Sequence, residues 1–537
     1  MPSPRDASEV RPSGAAEEWP SVQPSGGRVA RPRGLTAGGG HILFPGVIET
    51  RRAVWYNIVV RMARTDQRIR QEIQIKMLND ILASKKELFA SDAQTVLRGH
   101  ENRSRRVTLL KGNLVGNARA SSAGISARVC KNGVYGFASA GEYSEEAAET
   151  VLRKATENAA FLASHGGRNV PPSPGMRGGY VPYGKEIIDL PQKRAIDLCR
   201  EIDAHIAEKY PDLSSRTVVY SEDSQDKIIY TSDALDGRAT YPRCYIYVVL
   251  DSETPDGVPV EVFRAFGGLG CIDDWFADLV PIYEGIEKLY SQLCDKKNGV
   301  YAEAGYKTVV LGGMMTGMLS HEAVGHTVEA DLVLGGSVAG KLLGKQVASE
   351  MVTLTDFANE AFGAPTPLPV YIDDEGTAAK DAVLIKDGIL TGYMHSRESA
   401  QHFGVEPTGS ARAWAFGDEP LIRMRNTCIL PGNDKLADMI ASVDDGYYLV
   451  DSGNGQADLT GEFMFGVTMG YEIRKGKLGR ALLDTTVTGI AFEMLKTVDM
   501  ISSEIVWSSS GFCGKKQPMP VGMGGPALRC KIMIGGR

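Results

Sequence analysis

The stretch Ser320-His321-Glu322-Ala323-Val324-Gly325-His326 holds two of the eight histidines in the chain, with a carboxylate directly after the first. Neutral imidazole is the commonest zinc ligand, and a glutamate beside a metal-activated water can take up its proton. His-Glu followed closely by His therefore reads as a hydrolytic metal site. In the common HExxH arrangement the histidines are four apart and lie about 40° apart around an α-helix. Here they are five apart, which at about 3.6 residues per turn separates them by about 140°. A straight helix would aim only one imidazole at a given ion. The spacing predicts a helix locally overwound or bulged near Val324 and Gly325; a single-turn π-bulge would absorb the extra residue, with the glycine lowering its backbone cost.

A catalytic zinc takes three protein ligands and keeps one position for water, so a third donor is required. Glu329, Asp331, the Asp373-Asp374-Glu375 cluster, His395, His402 and the cysteines are all candidates. Glu329, three residues past His326, could share its face as a ligand or orient the imidazole from behind. Among the cysteines, Cys513 stands out in Ser510-Gly511-Phe512-Cys513-Gly514-Lys515. Its flanking glycines predict an exposed turn with little steric cover, a setting better suited to a metal ligand than to a core position.

These groups need rigid elements on either side. Thr308 to Leu311 reads as a short buried strand that delivers the chain, through Gly312-Gly313, into the histidine helix. Upstream, apolar positions at helical spacing predict amphipathic helices over 66–90, 144–165, 191–208 and 272–294, with Ser144 as an N-cap and Pro191 at a helix start. Short alternating runs predict strands at 105–110, 115–120, 124–130, 133–140, 216–221, 226–231, 242–250 and 258–265, with Asn132-Gly133 as a hairpin turn. Downstream, strands are expected near 368–372, 382–385, 389–395, 422–429, 447–450, 462–473 and 480–486, with a helix over 488–498. Turn signals fall at Asp387-Gly388 and Asp445-Gly446.

The expected fold class is α+β: an N-terminal α/β domain of sheets with amphipathic helices over 61–300, its two sub-regions joined by a Pro/Gly linker at 166–186. A mostly antiparallel, sandwich- or barrel-like C-terminal β domain over 301–537 carries the HExxxH helix. Residues 1–60, rich in Pro, Gly, Ser and Arg, read as a disordered or spurious extension.

The chain has 537 residues and a net charge of -7, with acidic and basic residues interspersed, so charge gives no case for nucleic acid or an anionic membrane as partner. No apolar run reaches the roughly 18–20 residues of a membrane span, and no signal-peptide core is seen near the first residue. The 8 cysteines show no CxxC or framework spacing, which suits a reducing cytoplasm.

The chain resembles the metal-bearing, TldD-like members of the TldD/PmbA family of zinc metallopeptidases. The resemblance rests on His321 to His326, Ile372 to Thr377, Asp387 to Met394, Pro407-Thr408-Gly409, Asn426-Thr427, and Cys513-Gly514-Lys515 leading to Pro520-Val521-Gly522. It implies that His321, His326 and Cys513 bind Zn2+, that Glu322 is the general base, and that the substrates are unfolded or short peptides. It also implies a dimer, either with itself or with a metal-free PmbA-like relative. The motif at 515–518 departs from the family pattern, with Lys516 where a glycine is expected. Two other readings compete: a zinc amide hydrolase without proteolytic activity, and a peptide-binding assembly subunit with a structural metal.

Overall fold

The computed structural model describes residues 79–535 apart from 167–170, 177–179, 186 and 188–189. The expected N-terminal extension and most of the predicted 66–90 helix lie outside the described residues. Of that helix, residues 79–90 are described; 79–84 are helical, but the chain then leaves the α-helix through a 3-10 turn at Lys86–Leu88, short of the expected end at residue 90.

Tight turns with positive φ at Lys111-Gly112 and Asn132-Gly133 fold the first part of the chain into an antiparallel meander. Its strands are β1 (Gln94–Leu110), β2 (Asn113–Lys131) and β3 (Val134–Ala140). The short strands read from sequence at 115–120 and 124–130 merge into the single β2. Its small and polar middle, Ala120-Ser121-Ser122-Ala123, breaks the apolar alternation without breaking the ladder, which pairs continuously with β1 there. Helix α1 (Glu145–Ser164), capped by the Ser144 hydroxyl on the Ala147 N–H, lays Ala148, Val151, Leu152, Ala155 and Ala159 on this sheet.

After β4 (Tyr180–Gly184) and helix α2 (Gln192–Lys209) come β5 (Ser215–Thr231), β6 (Asp236–Glu253) and β7 (Pro259–Leu269). The sheet order is β3-β2-β1-β5-β6-β4, and β7 also pairs with β6. Here too the runs predicted at 216–221 and 226–231 form one strand. The helix expected over 272–294 divides into a turn at Ile272–Trp275 and α3 (Val280–Lys297). The break falls where Asp278 caps the Val280 N–H and Pro281 occupies the first turn of α3.

The rest of the chain builds a second sheet and a barrel. Strand β8 (Gly305–Leu311) leads through Gly312 into the short helix α4 (Gly313–Met318). Strands β9 (Leu354–Phe357), β10 (Ala382–Lys386), β11 (Ile389–Leu390) and β12 (Asn426–Ile429) belong to a six-stranded sheet. The barrel adds β13 (Asp445–Ala457), β14 (Glu462–Arg474), β15 (Lys477–Ala481) and β16 (Thr485–Ile490). Strands β17 (Val506–Ser508) and β18 (Gly522–Gly525) complete the six-stranded sheet in the order β11-β10-β9-β12-β18-β17, and β19 (Leu528–Ile534) joins the barrel. Because β13 pairs with β14 as well as β8, the ring β13-β8-β19-β16-β14 closes on itself, and closure leaves these strands without free edges.

Three sequence expectations need correction in this part. Asp445-Gly446 is not a turn: it opens β13, and Gly446 lies so close to β8 that an added Cβ would fall 2.1 Å from the Thr308 carbonyl. The stretch 368–372 forms no strand, only an isolated bridge from Ile372 to Ala378, and the helix expected over 488–498 is confined to Ala491–Leu495.

One apolar cluster joins the barrel to the histidine helix. Val309, Leu311, Leu449, Phe465, Val487 and Leu528 pack together with Met315, Leu319, Ala323 and Val324. Burial of these side chains, each worth about 1.5–3 kcal/mol relative to exposure, fixes the helix against the barrel. Small residues set how closely it sits against the six-stranded sheet. A Cβ on Gly313 would meet the Gly525 carbonyl at 2.7 Å, and one on Gly317 would meet Gly524 at 3.1 Å.

Candidate metal centre

Helix α4 runs directly into a π-helical turn over Leu319–Gly325, followed by a 3-10 turn over His326–Val328. A π-turn closes i to i+5, so residues five apart come round to one side as residues four apart do in an α-helix. That is the bulged form of the distortion the spacing predicts. The His321 and His326 rings lie 5.3 Å apart between centroids with planes at 78°. Where the turn changes pitch, the Thr327 hydroxyl donates to the Val324 carbonyl at 2.7 Å, and the Ser320 hydroxyl donates to the Thr316 carbonyl at 2.8 Å. The reason for Gly325 differs from the expected one. Its φ of -53° is ordinary for any residue, but an added Cβ would fall 2.0 Å from the buried Met424 sulfur. Space, and not backbone freedom, selects glycine.

Cys513 arrives on a strap formed by residues 508–517, in a two-residue strand paired with Met519–Pro520. It is buried, contrary to the exposed turn expected from its glycine neighbours, because the histidine helix and the strap close over it. The donor atoms of His321, His326 and Cys513 all lie within 4.8 Å of one another, and Cys513 Sγ is 3.4 Å from His326 Nε2. Ligands at ~2.0–2.3 Å from a tetrahedral zinc stand roughly 3.3–3.8 Å apart, so this set fits the ion after only a small closure. Both ring nitrogens of His321 are buried and make no hydrogen bond of ordinary geometry among the described residues. A buried imidazole with neither nitrogen satisfied fits a metal ligand. Glu322 faces the same spot: its carboxylate oxygens lie 3.9 Å from His321 Nε2 and 3.7 Å from His326 Nε2, and its side chain is about a quarter exposed, at 23%.

A second layer holds these groups. The fully buried Glu329 carboxylate accepts from His326 Nδ1 at 2.8 Å, which leaves Nε2 facing Cys513, the geometry of a group that orients the ring from behind. Lys515 donates to both Asp331 oxygens at 2.8 Å and to the Ile422 carbonyl at 3.0 Å, and stands 3.3 Å from Glu329. One lysine on the cysteine strap thereby ties it to the residues just after His326. Arg423, fully buried, donates to the carbonyls of Cys513, Lys515 and Gln517 at 2.7–2.8 Å. The sequence reading missed Arg423. Its only signal was the alternation of Arg423 and Arg425 with Ile422 and Met424 in a strand-like run.

The charges follow from this packing. Burial alone would push the Cys513 thiol up, but the two imidazoles beside it outweigh burial and pull it down to about 3. Burial likewise disfavours the His326 imidazolium, yet Cys513 and Glu329 overcome this and raise it to about 10. The metal-free centre is thus a thiolate next to an imidazolium, and metal binding must displace the proton from His326.

The other candidates for a third ligand lie elsewhere. Asp374 pairs with Lys227 at 2.7 Å and Arg98 at 3.5 Å; burial opposes its charge, but these cations hold it well below the usual carboxylate range. Glu375 pairs with Arg128, and Asp373 accepts backbone N–H groups from Glu375, Thr377 and Ala411. The acidic cluster joins the first sheet to the C-terminal half. His395 bonds Ser399 through Nδ1 at 3.1 Å, and His402 meets Phe403 edge to face with ring centroids 5.1 Å apart. All eight cysteines are free.

Comparison with known proteins agrees with this architecture. Residues 304–536 match the PmbA/TldA metallopeptidase C-terminal domain, 96–159 match domain 1, and 185–292 match the central domain. A metalloprotease of Methanothermobacter thermautotrophicus is 30% identical over 453 residues, covering 82% of this chain and 95% of the relative. A zinc metalloprotease TldD homolog of Saccharolobus solfataricus is 29% identical over 358 residues, covering 66% of this chain and 79% of the relative. The crystal structure of TldE from Thermococcus kodakarensis superposes with a TM-score of 0.65 at 17% identity, covering 86% of this chain and all of that one. Fold, matched domains and relatives together define a metalloprotease of the TldD/PmbA type. The chain belongs to the PmbA/TldD metallopeptidase family. Among the described residues no helix is long and apolar enough to cross a membrane.

Proposed function

We propose that the protein is a zinc-dependent peptidase acting on unfolded or short peptides, with His321, His326 and Cys513 as ligands and Glu322 as general base. The observation that carries the proposal is the convergence of two imidazoles and a thiolate, 187 positions apart in sequence, on a spot that a partly exposed carboxylate also faces. Three protein donors fit a catalytic zinc, whereas a structural site closes with four, which argues against a purely structural metal. Bound there, zinc would supply a Lewis acid that acidifies water and polarises the scissile carbonyl.

The chain's own residues account for the rest. Glu322 accepts the proton of the attacking water and returns it to the leaving amine. Glu329 keeps the His326 ring in the orientation that turns Nε2 towards the centre, and Lys515 holds Glu329 in place. Strand β17, at the edge of the six-stranded sheet and directly before the cysteine strap, has no strand on its outer side among the described residues. Such an edge would bind an extended chain through main-chain hydrogen bonds with weak side-chain selectivity, which favours flexible substrates over folded ones. A dimer, with itself or with a metal-free relative, belongs to the same proposal.

The test is mass spectrometry of an unfolded peptide pool incubated with wild type and with Glu322→Ala, with bound metal quantified in both. Wild type is expected to cleave the pool and Glu322→Ala to lose ~100- to 10,000-fold in rate while retaining its metal. Unchanged peptide turnover in Glu322→Ala would remove the general base from the mechanism. A wild type that binds zinc but leaves the peptides intact would favour a small-amide hydrolase.

A further inference from the structure

The cysteine strap is anchored twice. Downstream of Cys513, Arg423 and Lys515 hold it to the C-terminal half, as described above. Upstream, its carbonyls are taken by the first sheet, which sequence places more than 250 residues away. Arg243 Nη1 donates to the Ser509 carbonyl at 2.9 Å. The Tyr245 hydroxyl donates to the same carbonyl at 2.7 Å and lies 2.9 Å from the Ser509 hydroxyl. The Tyr247 hydroxyl donates to the Ser510 carbonyl at 3.2 Å. The Arg243 guanidinium also sits 4.8 Å over the Phe512 ring, whose edge meets Trp414 with centroids 5.5 Å apart.

The residues 243, 245 and 247 alternate along β6 and so point to one side of the sheet. Strand β6 is paired with β5 and with β7, and is a rigid base. Arg243 is itself locked: its Nε and Nη2 form a fork on Asp223 at 3.0 and 2.8 Å, and Asp223 is its direct cross-strand partner on β5. Between this upstream anchor and the downstream one, Cys513 stands between Gly511 and Gly514. An added Cβ at Gly514 would meet nothing within 4 Å. The strap is thus unpacked on the Gly514 side although Cys513 itself is buried, and hydrogen bonds on both flanks hold the backbone that carries the sulfur.

We propose that Arg243 and Tyr245 are positioning residues for the metal centre, and that the N-terminal sheet, through them, sets the Cys513 thiolate against the two imidazoles. The inference rests on the reading of Cys513 as a ligand. It assigns the first sheet a part in metal binding although, among the described residues, the clustered donors His321, His326 and Cys513 all lie outside it. Loosening the upstream anchor leaves the histidine pair intact and weakens only the sulfur's contribution. Tyr245→Phe is the informative variant, since it keeps the ring in place and removes only the hydroxyl. Arg243→Gln would also leave Asp223 buried without its partner, which confounds folding with positioning.

The experiment is a double-mutant cycle in metal affinity. Cobalt(II) is titrated against a competing chelator into the full-length, metal-depleted protein: wild type, Tyr245→Phe, Cys513→Ser and the double variant. The thiolate-to-cobalt charge-transfer absorption is recorded alongside. Tyr245→Phe is expected to weaken cobalt binding about 10-fold, within the ~10–100-fold range for loss of an outer partner, and to diminish the charge-transfer band. In the Cys513→Ser background the same substitution is expected to change affinity less than 2-fold, because the group it acts through is gone. Additive losses in the double variant, or a Tyr245→Phe protein with wild-type affinity and band, overturn the proposal. If wild type itself lacks the band and Cys513→Ser binds cobalt as tightly, Cys513 is not a ligand and the underlying reading fails instead.

Discussion

Between His321 and His326 the relative position of two donors is set within one π-turn of seven consecutive residues, while Cys513 reaches the same spot through partners at sequence separations from 90 to 266. The histidine helix is fixed by apolar burial: Leu319, Ala323 and Val324 pack in the cluster shared with the barrel. The cysteine strap is fixed almost wholly by hydrogen bonds from buried or half-buried polar side chains to its carbonyls. The difference follows from composition. A helix carries its own backbone hydrogen bonds and can present an apolar face, whereas a glycine-containing strap leaves its carbonyls open and must borrow donors from elsewhere. Such borrowed donors are directional, and suit a ligand whose position matters to tenths of an ångström.

This contrast can be broken or sharpened from its largest expected effect downward. The first lever is pH, which acts on both regions. With His326 raised to about 10 in the metal-free centre, an incoming ion competes with its proton at every pH below that value. Zinc affinity should therefore fall about tenfold per unit as pH drops from ~9 to ~5, about 10,000-fold in all. Cys513, held down to about 3, should add no second proton over this window. Chelator-competition titrations give the slope; a slope near two would mean that a second ligand, His321 or Cys513, is protonated as well.

Next comes Arg423→Met, which acts on the strap alone. Two buried carbonyls and one half-buried one lose their donor, so denaturant unfolding of the metal-free protein should show a loss of about 3–5 kcal/mol. A loss below about 1 kcal/mol would show that the strap finds other donors. Glu329→Gln acts on the histidine side. It should weaken metal binding by ~10–100-fold, measured by the same competition titration, and should also destabilise the metal-free protein at neutral pH, since the carboxylate is one of the groups that raise His326. Equal affinity would remove Glu329 from the orientation of His326. Smallest is Gly325→Ala, where a methyl must displace the buried Met424 sulfur. A cost of about 1–2 kcal/mol in thermal or denaturant unfolding is expected, and Met424→Ala in the same chain should relieve the overlap.

Much of the helix side could be read directly. The five-residue spacing of His321 and His326 conflicts with α-helical phase, and that conflict alone predicts a local distortion, found as the π-turn at Leu319–Gly325. Ser144, Asn132-Gly133 and Asp387-Gly388 mark a cap and two hairpins because their chemistry is local. Where local signals misled, a tertiary neighbour was the cause. Asp445-Gly446 reads as a turn, but the glycine is there for the close approach of β8. Asp373-Asp374-Glu375 reads as a possible metal cluster, but two of its carboxylates meet Lys227, Arg98 and Arg128 of the first sheet, and the third meets backbone amides.

The sequence by itself determined the two imidazoles, the carboxylate between them and the turn that brings the pair to one side, since all four arise within a few residues of chain. Only the tertiary structure shows how a donor 187 positions away, Cys513, comes to lie beside them. That placement depends on Arg423 and Lys515 on one flank of Cys513 and on Arg243 and Tyr245 on the other. Their reach across the fold is a property of packed sheets, which no periodicity along the chain records.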